Sequence, residues 1–168
     1  MIEDWEKAIA FVLKMEGGDM PENVKGDPGG LTKFGISQKA YPSVDIAGLT
    51  LEQAKDIYRR YYWNQCACDQ LPTPFSIAVF DTAVNQGVGK AKRLLQLSLD
   101  VTVDGVIGDK TIAAAHKASR YRVKRFLAER QTSYARLMAD KPELLQFALD
   151  WSYRVISLAE LIFEDGTI

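Results

Sequence analysis

Glu16 stands against a glycine pair in "KMEGGDM", and Asp27 and Thr32 follow in "GDPGGLTKFG". A carboxyl group that keeps its proton near neutral pH is a general acid. A second carboxylate with a hydroxyl, held across a gap from the first, can bind and activate a water. Together the two halves suit cleavage of a glycosidic bond, where inverting enzymes hold their carboxyls roughly 6.5–9.5 Å apart to admit that water. Gly17, Gly18 and Gly30 carry no side chain to crowd a ligand here.

The element that must position Glu16 is a helix. Trp5, Ala8, Ile9, Val12 and Leu13 recur at helical spacing and form one apolar stripe. Glu16 lies eleven residues after Trp5, which on a 3.6-residue helix returns it to within about 20° of the same direction. A carboxylate on the buried stripe loses hydration, and the negative end of the helix dipole acts in the same sense; both favour the protonated acid. The alternative is a helix that frays at Met15 and turns Glu16 to solvent. Asp27 has an alternative too, since it can simply stabilise the turn at Pro28 and Gly29.

The pattern predicts a first helix from Ile2 or Glu3 to Glu16, ended by Gly17 and Gly18. Residues 17 to 37 read as a glycine-rich loop or small hairpin. Thr50 and Gln53 have capping-box spacing, with Leu49 as a staple, for a second helix running to about Gln65. Pro74 opens a third helix, "FSIAVFDTAVNQ", which Gly87 ends. It is apolar around most of its circumference and should be central. Asp81 and Asn85 share one of its faces and need partners there, with structural tying between helices as the plainer role. Asn85 and Gln86, near the helix end, are better placed to meet a ligand in a cleft. In "YYW", Trp63 is the candidate wall of a sugar subsite, against the alternative of a core position. Trp151 and Tyr153 are assigned to packing. A fourth helix, "KAKRLLQLSL", leads into the tight "DVTVDGVIGD" turn, and Asp109 is expected to cap "KTIAAAHKA". Two longer helices follow, Tyr121 to Asp140 and Pro142 to about Phe163. The fold class is mostly α, with six or seven helices.

The 168 residues carry a net charge of −1, which gives no footprint for nucleic acid. The basic run from Arg120 to Arg130 reads as the solvated side of a helix. Cys66 and Cys68 are too few and too close for a disulfide framework, and with one histidine, His116, no zinc site is expected. No metal and no cofactor are implied. No apolar run reaches the ~18 residues that span a bilayer, so membrane insertion is not expected. The acidic N-terminus lacks a basic leader and predicts cytoplasmic synthesis.

"EGG" followed by "DPGGLTKFGIS" resembles the signature of glycoside hydrolase family 108, a group of bacterial and phage muramidases that includes endolysins and secretion activators. "IYRRYYWNQ", "LPTPFSIAVFDTAVNQGVGKAKRLLQ" and "VTVDGVIGDKTIAAA" resemble later landmarks in the family's order, so that Trp5 to Leu161 is covered. The resemblance implies a lysozyme-like helical fold and cleavage of the β-1,4 bond between N-acetylmuramic acid and N-acetylglucosamine in peptidoglycan. It implies Glu16 as the catalytic acid, with Asp27 and Thr32 matching the acid and threonine of the glycine-rich motif. It divides the chain into a catalytic segment, 1–88, and a peptidoglycan-binding-like segment, 89–168, packed into the same globule. Asp19 departs from the residue many members carry after the two glycines. The rival readings are a lytic transglycosylase, which needs only Glu16, and a wall-binding protein without activity. With no export signal in view, action on the wall calls for release by a separate holin.

Overall fold

The computed structural model describes residues 2–17 and 30–163. Seven α-helices and one two-stranded hairpin make up the regular structure of those residues. Helix α1, Ile2–Met15, buries Trp5, Ala8, Ile9 and Val12, as its spacing implies, and Phe11 with them, while Leu13, expected on the stripe, is half-buried. The hairpin follows, with β1 at Thr32–Lys33 and β2 at Ile36–Ser37, antiparallel, Lys33 opposite Ile36. Its two-residue turn is Phe34–Gly35, both at positive φ, 53° and 76°. That is the pair of conformations a type I′ hairpin turn requires.

Helix α2, Leu51–Tyr58, begins with the expected capping box: Thr50 accepts from the Gln53 amide, and the Gln53 side chain accepts from the Thr50 amide. Leu49 is buried beside it. The helix does not run on regularly to Gln65. It loosens into a π-turn over Arg59–Trp63 and then a 3₁₀ turn over Asn64–Cys66. A π-turn shifts the helical register, and here it accompanies the burial of both Tyr58 and Trp63.

Helix α3, Thr73–Gln86, is buried on all sides from Phe75 to Ala83 and forms the axis of the molecule. It packs on α1, on α4 (Val88–Leu99), on α6 (Arg120–Asp140) and on α7 (Ala148–Phe163). Gly87 closes it, as expected. The core beneath α1 is aromatic: the Trp5, Trp63 and Phe80 rings meet at centroid distances of 5.3 to 5.5 Å. Arg59 lies over both indoles, 4.9 Å from Trp5 and 5.3 Å from Trp63. Contacts of these kinds are each worth about 0.5–1.5 kcal/mol beyond area burial.

Three expectations are corrected. Asp109 does not cap α5, Asp109–His116; Gly108 holds the cap position and Asp109 is the first helical residue, where its charge complements the dipole. The stretch from Pro142 to Phe147 is 3₁₀, and α7 starts at Ala148. Arg120 to Arg130 is not one solvated face. Arg130 is fully buried, while Arg122 and Arg125 both donate to Asp100. The "DGVIG" turn is folded around one side chain, Gln96, which is 1% exposed. Its amide donates to Asp104 Oδ1 at 2.6 Å and to the Val106 carbonyl at 2.9 Å, and its oxygen accepts from Gly105 N–H at 2.7 Å.

Candidate active site

Glu16 sits one residue past α1, its amide still bonded to the Val12 carbonyl at 2.9 Å. The side chain is 24% exposed, neither sealed in the core nor free in solvent. The hairpin turn closes over its stem. A Cβ on Gly35 would lie 2.6 Å from Glu16 Cβ and 2.7 Å from the Tyr58 hydroxyl, so only glycine fits this approach. Phe34, beside it, is a bulky residue in the left-handed region, a conformation that costs of order 1–3 kcal/mol and persists only when neighbours enforce it. Two contacts do so: its ring is buried, and its carbonyl accepts from Tyr58 Oη at 2.8 Å. Burial first, and then the negative charge of Glu16, push the Tyr58 phenol well above its ordinary pKa, so it stays a neutral donor.

Arg154, from the middle of α7, reaches Glu16: its Nη1 donates to Oε1 at 2.7 Å. The same guanidinium donates through Nε and Nη2 to Asp81 Oδ1, at 2.9 and 2.7 Å. Asp81 Oδ2 accepts from Arg130 Nη1 at 2.6 Å. Arg130 in turn donates to Tyr134 Oη at 3.1 and 3.2 Å, and that hydroxyl donates to Asn85 Oδ1. Two acids and two bases thus form a neutral chain from the end of α1 through α3 to α6 and α7. Burial pushes the Asp81 carboxyl up, but Arg130 and Arg154 outweigh it and hold the group below its usual range. Arg154 loses hydration and is held charged by Asp81 and Glu16.

The candidates named from sequence divide as follows. Glu16 and the hairpin that carries Thr32 come together at Gly35. Thr32 is half-buried in β1, opposite Ser37. Gly17 is exposed just past α1, and Gly30, also exposed, leads into the hairpin. Gly18 and Asp27 lie outside the described residues, as does the Pro28–Gly29 turn. Trp63 is 0% exposed, with its ring against those of both Trp5 and Phe80, so it offers no face to a sugar. The outward aromatic of that segment is Tyr61, 48% exposed beside Tyr41. Asn85 and Gln86 open onto a separate groove between the end of α3, α6 and α7. Trp151 is half-buried there, but Tyr153, expected to pack, is 65% exposed.

Sequence reading missed Arg154, Arg130, Tyr58, Gly35 and Tyr134. A signal existed for the arginines. Arg130 falls on the stripe of Val123, Phe126, Leu127 and Tyr134, and Arg154 on that of Val155, Leu158 and Ile162, as Glu16 does on its own helix. Among the described residues, no cluster of histidine, cysteine or acid could hold a metal ion, and no helix is long and apolar enough to cross a membrane.

Residues 9–87 match the family model of glycosyl hydrolase 108, a span that contains Glu16, the hairpin and all but the first turns of the α1–α3 assembly. The fold is lysozyme-like and resembles the solved structure of Brucella abortus SagA, with a TM-score of 0.82 and 29% identity, over 100% of this chain and 98% of that one. No curated protein matches the sequence. The matched segment and the whole-chain likeness together support a protein of glycosyl hydrolase family 108, and with it a glycosyl hydrolase acting on peptidoglycan.

Proposed function

We propose that the chain is a muramidase that hydrolyses the β-1,4 bond between N-acetylmuramic acid and N-acetylglucosamine, with Glu16 as proton donor to the glycosidic oxygen. The observation that carries this is the seating of Glu16. Among the described residues of the family-matched segment it is the half-buried carboxyl, fixed from one side by Arg154 and from the other by the Gly35 turn. Proton donation leaves a carboxylate behind. Arg154, 2.7 Å away, is placed to hold that anion. Asp27 and Thr32 then position the attacking water from the glycine-rich side, with Gly17, Gly18 and Gly30 leaving room for the sugar.

The test is solubilisation of purified sacculi, with Glu16→Gln as control, followed by mass spectrometry of the products. Soluble fragments with reducing ends, lost in the variant, support hydrolysis. Anhydro ends would identify a lytic transglycosylase instead. Wall binding without turnover would identify a binder. The matching proposal for location is that the protein is made in the cytoplasm and meets the wall only after a separate pore-forming protein releases it. Lysis of producing cells in the absence of any such protein would refute that.

A further inference from the structure

The groove that receives Asn85 and Gln86 has a polarity that the glycan backbone alone does not explain. It encloses about 540 Å³, within the ~300–1,000 Å³ typical of ligand pockets. The oxygens of both amides are already used on its floor. Asn85 Oδ1 accepts from Tyr134, and Gln86 Oε1 accepts from Ser133 Oγ at 3.3 Å. Fixing the oxygens turns the two NH₂ groups into the free ends. Among the described residues neither nitrogen has a partner, and the same holds for the Lys90 ammonium and the Arg136 guanidinium on the walls. The groove therefore presents four donor groups, two of them cationic, against one acid, Asp140.

A sugar hydroxyl both donates and accepts, so a neutral glycan face would leave this donor excess unmatched. A carboxylate only accepts, and charge-assisted hydrogen bonds to it are roughly twice as strong as neutral ones. We propose that this groove is a subsite for the acidic peptide stem of the substrate. The stem's carboxylates lie against Lys90, Arg136 and the amides of Asn85 and Gln86, and Asp140 takes a backbone N–H of the stem. The inference rests on the peptidoglycan reading above and adds to it which part of the substrate is read away from the scissile bond.

Asn85 is one helical turn, about 6 Å, beyond Asp81, and Asp81 shares Arg154 with Glu16. A stem extends about 3.3–3.6 Å per residue, so two or three of its residues cover roughly 7–11 Å beyond the muramic acid. The chain of hydrogen bonds from Asn85 through Tyr134, Arg130 and Asp81 to Arg154 keeps the two places in fixed register.

The experiment is an NMR titration of the ¹⁵N-labelled full chain with N-acetylmuramyl-L-alanyl-D-glutamate and with the same compound amidated at both carboxyls. The acid should shift the side-chain NH₂ signals of Asn85 and Gln86 and bind about tenfold more tightly than the amidated form. The double variant Lys90→Gln, Arg136→Gln should bind the acid as weakly as wild type binds the amide. Both changed residues are exposed, and the comparison of the two compounds on wild type decides the matter even if the variant were to misfold. Equal binding of acid and amide, an unaffected double variant, or shifts confined to other residues would each overturn the proposal. The titration needs no turnover, so a failed sacculus assay would sink the muramidase reading and leave this result to stand or fall by itself.

Discussion

Replacing Gly35 by alanine tests the seating of Glu16 most directly. The added methyl would meet Glu16 Cβ at 2.6 Å, Glu16 Cγ at 2.8 Å and Tyr58 Oη at 2.7 Å. Carbon atoms in ordinary contact stand ~3.5–4.0 Å apart, so the overlap is about 1 Å. A left-handed conformation adds ~1–2 kcal/mol for a residue with a Cβ, and overpacking adds ~1–3 kcal/mol, giving a loss of about 2–5 kcal/mol. In a domain of this length each kcal/mol moves Tm by about 2–4 °C, so a fall of roughly 4–20 °C is expected. The strain is relieved by moving the turn or the glutamate. Either displaces the carboxyl by about 1 Å, a misplacement that can cost on the order of 10²-fold in rate. Gly105→Ala supplies the control. Its φ is +81°, but a Cβ there meets only the Arg93 guanidinium, at 3.4 Å, so it tests backbone strain without the clash. Calorimetry and sacculus turnover are measured on both. The reasoning fails if Gly35→Ala retains full turnover and loses no more stability than Gly105→Ala.

Four other changes follow from the same geometry. Arg154→Met removes the shared partner of Glu16 and Asp81, and should cost ~3–5 kcal/mol in urea unfolding together with most of the turnover. Asp81 is held below its ordinary pKa in the fold, so its contribution is present above the unfolded value near 3.9 and is lost as pH falls through the folded one. Wild-type stability should therefore drop on acidification below about pH 4, and Asp81→Asn, weaker at neutral pH, should lack that part of the drop. Trp63→Ala opens a core cavity and should cost ~3–5 kcal/mol with KM unchanged; raised KM at unaltered stability would contradict the buried position. Gln96→Leu leaves Gly105 N–H and the Val106 carbonyl without their Gln96 partner, and Asp104 Oδ1 with the Val106 amide alone, and should cost ~1–3 kcal/mol, with faster amide exchange at Gly105 as the local signature.

How far the sequence carries depends on the length scale of each interaction. The capping box at Thr50, the end of α3 at Gly87 and the stripe of α1 are set by residues three to eight apart, and periodicity reads them directly. Glu16 was legible for the same reason: it breaks its own stripe. What the stripe could not supply is the partner, since Arg154 is 138 residues away. The expectation built on burial and the helix dipole alone was incomplete on that account. A charged residue on an apolar stripe predicts either a protonated group or an opposite charge on another stripe, and one helix cannot decide between them. The decision lies in the set. Asp81, Arg130 and Arg154 interrupt the buried faces of α3, α6 and α7, Glu16 stands just past the end of α1, and the four charges, two of each sign, sum to zero. Four such charges are costly to bury singly and tolerable only together. Arg130 was misread because it was grouped with its sequence neighbours Arg122 and Arg125, which serve Asp100 at the surface, when its helical phase placed it with Phe126 and Tyr134. Trp63 was misread in the opposite sense: the π-turn over Arg59–Trp63 alters the register that a regular helix would have given it, and only the folded backbone shows that turn. Helical phase, pursued for polar residues as strictly as for apolar ones, would have exposed the ion-pair chain. It would not have exposed the groove at Asn85, whose donors come from three helices and converge only in space.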